Sequence, residues 1–283
     1  MRRTSPFKVG QIVFVTFYAL ISILPIIFII NHAFKPLSEL FLFPPQFFVE
    51  NPTFNNFREL VFALNLSAVP FTRYLFNSII VTAAVVLFSV LFSTMGAYPL
   101  SKIKFKGKDL IFNTIILSLM FAPSTVTITR FLVVSNIRIM NTYFGHVLPL
   151  LAMPISIFLI KQFMDQIPST LSEAAKIDGA SEWVIFYRII VPNIRPAIGT
   201  AAILAFQAVW GNVETSTLYM TSESMNTLPF FISTLNAGLL GGAGVARQGA
   251  SAAAGLLMFL PNLVIFVILQ KSMMSTLVNS GIK

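Results

Sequence analysis

The 283-residue chain has no cysteine, two histidines and ten acidic residues, and only 10% of it is charged. Without cysteine there is no disulfide and no thiolate metal site, although the compartment stays open on that ground. No metal site is expected. The Gly-Gly-Ala-Gly run at 241–244 lacks the Lys-Ser/Thr that completes a GxxxxGK[ST] phosphate loop, so the sequence carries no ATP site of that kind. No catalytic constellation emerges either, and the chain is expected to be no enzyme and to hold no cofactor. Its nineteen Lys and Arg give a net charge of +9. They flank apolar runs instead of gathering in one groove, which argues against nucleic acid.

Apolar residues fill the space that charge leaves. They make up 56% of the chain, and the mean hydropathy is +0.82, whereas ordinary soluble domains are about a quarter charged. A span needs about 20 mostly apolar residues. The stretches 12–30, 78–100, 110–126, 143–160, 197–213 and 250–269 qualify or nearly do, and none contains Asp, Glu, Lys or Arg. The expectation is an all-α polytopic membrane protein with six transmembrane helices. An ion-driven carrier keeps ionisable residues at membrane depth. Here only His146 lies near a span, close to its end, and it reads as a structural histidine. Energy is therefore expected from a partner.

Orientation follows from the cations. With both termini in the cytoplasm, Lys35, Arg58, Arg73, Arg130, Arg138 and Arg247 lie outside and the other thirteen inside, four of them in the short run 102–108. Arg2-Arg3 ahead of an apolar stretch invites reading as an export signal. No small-residue cleavage pattern closes the stretch, so it reads as a first, uncleaved span.

One charged interval, between the fourth and fifth stretches, is dense in helix signals. Thr170 with Glu173 three residues later forms a capping box, and Gly179 supplies the C′ position that ends a first helix. Ser181 caps a second helix with Glu182 in its first turn, expected to run to about Ile190 before Pro192 stops it. Residues 173–192, EAAKIDGASEWVIFYRIIVP, resemble the EAA loop in permease subunits of bacterial ABC importers, particularly the sugar importers related to the maltose permeases. The family pattern is EAA, three residues, Gly, nine residues, Ile, one residue, Leu-Pro, and Val191 takes the Leu place. Phe76-Asn77-Ser78, Gly96-Ala97-Tyr98, the basic run 104–108, Asn141-Thr142, 162–168 and the closing Ser280-Gly281-Ile282-Lys283 extend the resemblance over most of the chain from about residue 70. One departure is Trp210-Gly211-Asn212 followed by Val213-Glu214, where the family has Trp-Asn followed by an acidic residue.

That resemblance implies a type I ABC importer transmembrane domain in the bacterial cytoplasmic membrane. It is one domain, 1–283, with an extracytoplasmic loop at 31–75, a cytoplasmic EAA coupling loop at 161–196 and a cytoplasmic tail at 271–283. The implied partners are a second homologous permease, two ATPase subunits that hold ATP and Mg, an extracytoplasmic solute-binding protein, an oligosaccharide and membrane lipid. Glu173, Ala174, Ala175, Asp178, Gly179 and Pro192 are the expected ATPase-coupling residues. The alanines let a backbone approach a groove closely, the acids set register, and the glycine permits the bend. Ser280, Gly281 and Lys283 of the tail are a second expected contact with the ATPase. Outside, the aromatic 31–75 loop and the glycine-rich 236–244 loop are expected to face the binding protein. Sugars are held by aromatic faces and fixed polar groups, which nominates Asn77, Tyr98, Gln207, Trp210, Asn212 and Tyr219 for the substrate pathway. The tail and outer loop look closest to permeases for plant cell-wall oligosaccharides, pectic ones included. A permease for a non-sugar solute, an ion-coupled carrier and a membrane scaffold are the alternatives.

Overall fold

Runs without charge become long helices because lipid leaves backbone polar groups no partner but each other. In a computed structural model, residues 6–40, 42–44, 46–65, 69–236 and 248–280 are described, and all of their regular structure is helical. The chain opens with α1 (Pro6–Phe34), followed by the short α2 (Leu37–Leu40), then α3 (Asn55–Asn65) and the 32-residue α4 (Phe71–Lys102). Next come α5 (Lys108–Ser118), α6 (Thr127–Asn136), α7 (Tyr143–Leu151) and α8 (Pro154–Asp165). A charged interval holds α9 (Ser169–Ile177), α10 (Glu182–Val184) and α11 (Val191–Asn193). Then follow α12 (Arg195–Trp210), α13 (Glu214–Tyr219), α14 (Leu228–Asn236) and α15 (Gln248–Ser280).

Among the described residues, three helices are long and apolar enough to cross a membrane by themselves, at Phe7–Phe34, Phe71–Lys102 and Gly249–Gln270. They contain the expected spans 12–30, 78–100 and 250–269. The span expected at 143–160 is a pair, α7 and α8, bent by 45°. Pro154 sits in the first turn of α8, where its missing N–H is no loss. The stretch 110–126 is not one helix. It is α5, a turn, and a 3₁₀ turn at Pro123–Val126, and Pro123 holds the preceding Ala122 extended so that helix cannot run through. Helix α12 covers 197–210 of the fifth stretch and stops at Gly211. The segment expected as a tail is a helical continuation of α15 as far as Ser280.

Contacts divide the chain into two compact units, residues 1–71 with 232–260, and residues 72–231 with 261–283. In the first, α1 leaves its side chains exposed along the apolar run, and its C-terminal carbonyls are capped from a distance. Asn56 Nδ2 donates to the carbonyls of Ala33 (2.9 Å) and Lys35 (2.7 Å), groups that an α-helix end leaves orphaned. Gly249 packs so closely on Asn56 that a Cβ there would lie 2.2 Å from Asn56 Oδ1. Glu39 gathers the loop: its carboxylate accepts from the Glu50 and Asn51 backbone N–H groups and from Asn51 Nδ2 at 2.9–3.1 Å. Burial would raise the Glu39 pKa, but these donors together hold it below the ordinary carboxylate range.

The second unit has an apolar centre of Ile160, Met164, Ile185, Ile190, Ile194, Ala197 and Ala201, all fully buried. Residues from α8, α12 and the segment after α10 share it, so the charged interval is seated on the span region by packing. A separate cluster joins Val81 and Val85 of α4 to Met153, Ala205 and Val209.

Candidate functional site

Helix α9 starts differently from the capping-box expectation. Pro168 is the N-cap, with φ −57° and ψ 136° and no side-chain cap, and Thr170 lies inside the first turn. Proline at 168 fixes the extended backbone before the helix, so entry needs no hydroxyl. The other end is as the glycine implied. Gly179 has φ +81°, its N–H bonds the Lys176 carbonyl (3.0 Å), and the Ala180 N–H bonds the Ala175 carbonyl (2.9 Å). This pair of bonds is a Schellman turn. A Cβ at Gly179 would meet nothing within 4 Å, so its requirement is the left-handed backbone and not space.

Ser181 occupies the next N-cap in extended geometry, and its carbonyl accepts the Ile185 N–H (3.0 Å), but its side chain makes no cap bond. The second helix does not end at Ile190. A π turn at Ile185–Ile190 passes into α11, and helix ends at Asn193. Pro192 falls in the first turn after the π segment. There the hydrogen-bond register is already changing, so a residue without an N–H is tolerated.

The helix pair has two faces. Ile185, Phe186 and Ile190 are buried, and Ala175 and Ala180 pack beside them. Outward lie Glu173, Ala174, Asp178 and Pro192, with Leu171, Ile177, Trp183 and Tyr187 as large exposed apolar groups. Ile177 is 87% exposed and Tyr187 73%. Among the described residues, no hydrogen bond or ion pair holds the side chain of Glu173 or Asp178.

Glu182 is the acid this segment uses internally. Lys176 Nζ lies 2.6 Å from Glu182 Oε1, and the Tyr98 hydroxyl donates to Oε2 at 2.6 Å. Lys176 first, then Tyr98, hold the Glu182 carboxyl below the ordinary carboxylate range. Tyr98 also meets Phe186 edge to face at 5.1 Å. A cavity of about 280 Å³ lies beside this contact, lined by Met95, Tyr98, Pro99, Ile103, Trp183 and Phe186. The bond joins residues 84 apart, and no local pattern signals it.

The pathway candidates do not assemble as one set. Tyr98 is engaged by Glu182 of the α9–α11 segment. Asn77 is fully buried on α4; its Nδ2 donates to the Ser224 (2.9 Å) and Asn226 (2.8 Å) carbonyls, and its Oδ1 accepts from the Tyr143 hydroxyl (2.8 Å). Asn212 Oδ1 accepts from both the N–H and the hydroxyl of Thr215 at 3.0 Å. Trp210 is buried and stacks on Phe206 at 5.6 Å. Tyr219 is buried against Phe131. Gln207 alone of the six is exposed. Trp210 and Asn212 do share a small polar cavity with Ser78, Thr82, Thr215 and Thr227.

Sequence reasoning missed the residues around 220–227. Asn141 (φ +57°) accepts from the Thr221 and Ser222 N–H groups. Arg73 and Tyr74 reach Ser224 and Glu223. His146, fully buried, bonds Thr215 Oγ1 (2.9 Å) and the Met225 carbonyl (3.0 Å). Glu214, at the departure from the family pattern, pairs with Arg130 at 3.3 Å. Of the tail, Ser280 ends α15, while Gly281 and Lys283 lie outside the described residues, as does most of the glycine-rich 236–244 loop.

Residues 89–272 match the family model described as binding-protein-dependent transport system inner membrane component. The chain is 27% identical over 286 residues to the arabinooligosaccharides transport system permease protein AraQ of Bacillus subtilis, covering 100% of this chain and 99% of that one. It is 31% identical over 270 residues to the galactooligosaccharides transport system permease protein GanQ of the same organism, covering 94% and 92%. A chain from the crystal structure of a bacterial ABC transporter involved in the import of the acidic polysaccharide alginate superposes with a TM-score of 0.81 at 20% identity, covering 96% of this chain and 98% of that one. At that identity the likeness establishes the fold.

Proposed function

The chain belongs to the binding-protein-dependent transport system inner membrane component family, and from that premise we propose that it is one permease of an ATP-driven oligosaccharide importer, coupled to its ATPase through α9–α11. The observation that carries this reading is the outward face of the helix pair. Glu173, Ala174 and Asp178 are exposed and uncommitted on a helix seated by its opposite face on the apolar centre. A helix pair with an unspent face suits docking, and the small, outward-facing Ala174 lets a groove close on the backbone.

The proposed topology has six spans: α1, α4, the 110–126 segment, the α7–α8 pair, α12 and α15. Both termini and the 161–196 loop are cytoplasmic. ATP and Mg belong to the ATPase, and a second permease completes the pathway. Closure of the ATPase on ATP would move the helix pair as a body and reorient the attached spans. An oligosaccharide substrate is supported by the names of the relatives, which cover the full chain. The exposed Gln207 on α12 is the pathway candidate whose side chain is still available to a sugar.

The test is affinity purification from native membranes in mild detergent, with the intact chain and with a Gly179→Val, Ala174→Asp variant. A second permease and an ATPase should accompany the intact chain, and the ATPase should be lost from the variant. Recovery of the intact chain alone would overturn the importer reading. An ATPase indifferent to both substitutions would remove α9–α11 from the docking role.

A further inference from the structure

We propose that Glu182 is the joint through which motion of the coupling helices reaches α4, with Lys176 and Tyr98 as its two arms. The proposal rests on the importer reading and adds the residues that transmit the motion.

Docking on α9 moves a span only if something stiff connects them. Within the coupling pair, the Schellman turn at Gly179 fixes the path of the backbone, and the Lys176–Glu182 ion pair at 2.6 Å bridges α9 to α10. Half-exposed ion pairs contribute little to stability. This one spans the turn, however, and ties Glu182 to α9 while the Schellman turn sets the backbone path. From the same carboxylate, Oε2 takes the Tyr98 hydroxyl at 2.6 Å. Among the described residues this is the polar link between the 169–193 segment and α4.

The Tyr98 and Phe186 rings are both buried, meet edge to face and border the 280 Å³ cavity on one side. A hydrogen bond to a carboxylate is directional and strong, and it adds a fixed direction to that apolar contact. Pro99 follows directly inside α4, where a missing N–H weakens the helix. The bond lost is the one to the Met95 carbonyl, so the weakened turn is 95–99, and the link attaches within it, where the long part of α4 joins its last residues. The end of α4 beyond Pro99 is tied separately to the α8 region, by Ser101 to Asp165 (2.6 Å) and Lys102 to the Ile167 carbonyl (2.6 Å).

The chain has no cysteine, so spin labels can be placed at will on Leu87→Cys (α4), Asn193→Cys (α11) and Ile128→Cys (α6), all exposed positions. Distances are read in the complete complex with and without Mg-ATP and vanadate. With Tyr98 and Glu182 intact, the 87–193 distance should stay single in both states while 87–128 changes. In Tyr98→Phe, which keeps the ring, the 87–193 distribution should split on adding nucleotide, with the coupled population falling about tenfold, the worth of one hydrogen bond to a charged group. Glu182→Gln should do the same, and the double variant should be no worse than the more affected single, as expected when two residues act through one contact. Unchanged 87–193 behaviour in Tyr98→Phe, or losses that multiply in the double variant, would overturn the proposal. So would loss of the ATPase from Tyr98→Phe, which would make the bond an assembly contact. Failure of the unsubstituted complex to bring down an ATPase would instead defeat the importer reading.

Discussion

The segment 220–227 and the coupling pair α9–α11 use their polar groups in opposite ways. Around 220–227, side chains from distant positions are committed to backbone. Asn77 takes two carbonyls, His146 a third, Asn141 two N–H groups, and Ser78 the Leu228 N–H (2.8 Å). A connection whose own regular bonding is one 3₁₀ turn, Glu223–Met225, can sit among helices only if its other backbone groups are matched in this way. In α9–α11 the backbone closes on itself through the Schellman turn, and most side-chain chemistry is left over. Glu173 and Asp178 have no holder among the described residues, and Ile177, Trp183 and Tyr187 face outward. The first segment is spent within this chain, while the second leaves a face uncommitted.

The contrast is sharpest where a substitution would reverse it. Asn77→Ala should have the largest effect. It strips three bonds from a fully buried position, at a cost of about 3 kcal/mol. Thermal unfolding in detergent should show a large loss of folded protein, and an unchanged midpoint would mean that the 220–227 segment is not locked by α4.

Gly179→Val comes next. Forcing a β-branched residue to φ +81° costs about 1–2 kcal/mol, and the strain is relieved by opening the Schellman turn. Solute uptake should collapse while the chain remains inserted; retention of uptake would show that this turn does not hold the docking face.

A smaller effect is expected on acidification. The Glu39 pKa is depressed, so its contribution is complete above the ordinary carboxylate range and is lost as pH falls through the lowered value. Protection of the Glu50 and Asn51 amides, taken relative to the intrinsic exchange rate at each pH, should fall in that acidic window and be insensitive to pH near neutrality. Loss of protection already near neutrality would assign the loop to another group.

Thr170→Ala and Ser181→Ala should change least. A working N-cap hydroxyl contributes about 1 kcal/mol, but neither residue makes a cap bond here, so each should leave stability and ATPase recovery near the unsubstituted level. A clear loss from Ser181→Ala would show that the second helix depends on a cap after all.

Much of the architecture was legible because its causes are local. Three spans and the Gly179 bend follow from uninterrupted apolar runs and from a glycine four residues past an alanine pair, and both survive in α1, α4, α15 and the Schellman turn. The capping box misled because Thr170-Glu173 has the right spacing, yet Pro168 had already fixed the helix entry. Pro192 was read as a stop by the rule for α-helices, and the preceding π turn removed the clash on which that rule depends. The pathway candidates were chosen by residue type. Type does not reveal whether an asparagine is already satisfied, and Asn77 and Asn212 are.

By itself the sequence determined a helical, membrane-spanning chain, the positions of its longest apolar helices and a helix pair bent at Gly179. Hydropathy and backbone preference act over a few residues and need no knowledge of the rest. Tertiary structure alone decided that Tyr98 serves Glu182 and that Asn77 is spent on the 220–227 carbonyls. It also decided that Ala175 faces the apolar centre while Ala174 faces out. Each depends on residues up to about 150 positions apart coming within 3 Å, and only packing of the whole unit sets such distances.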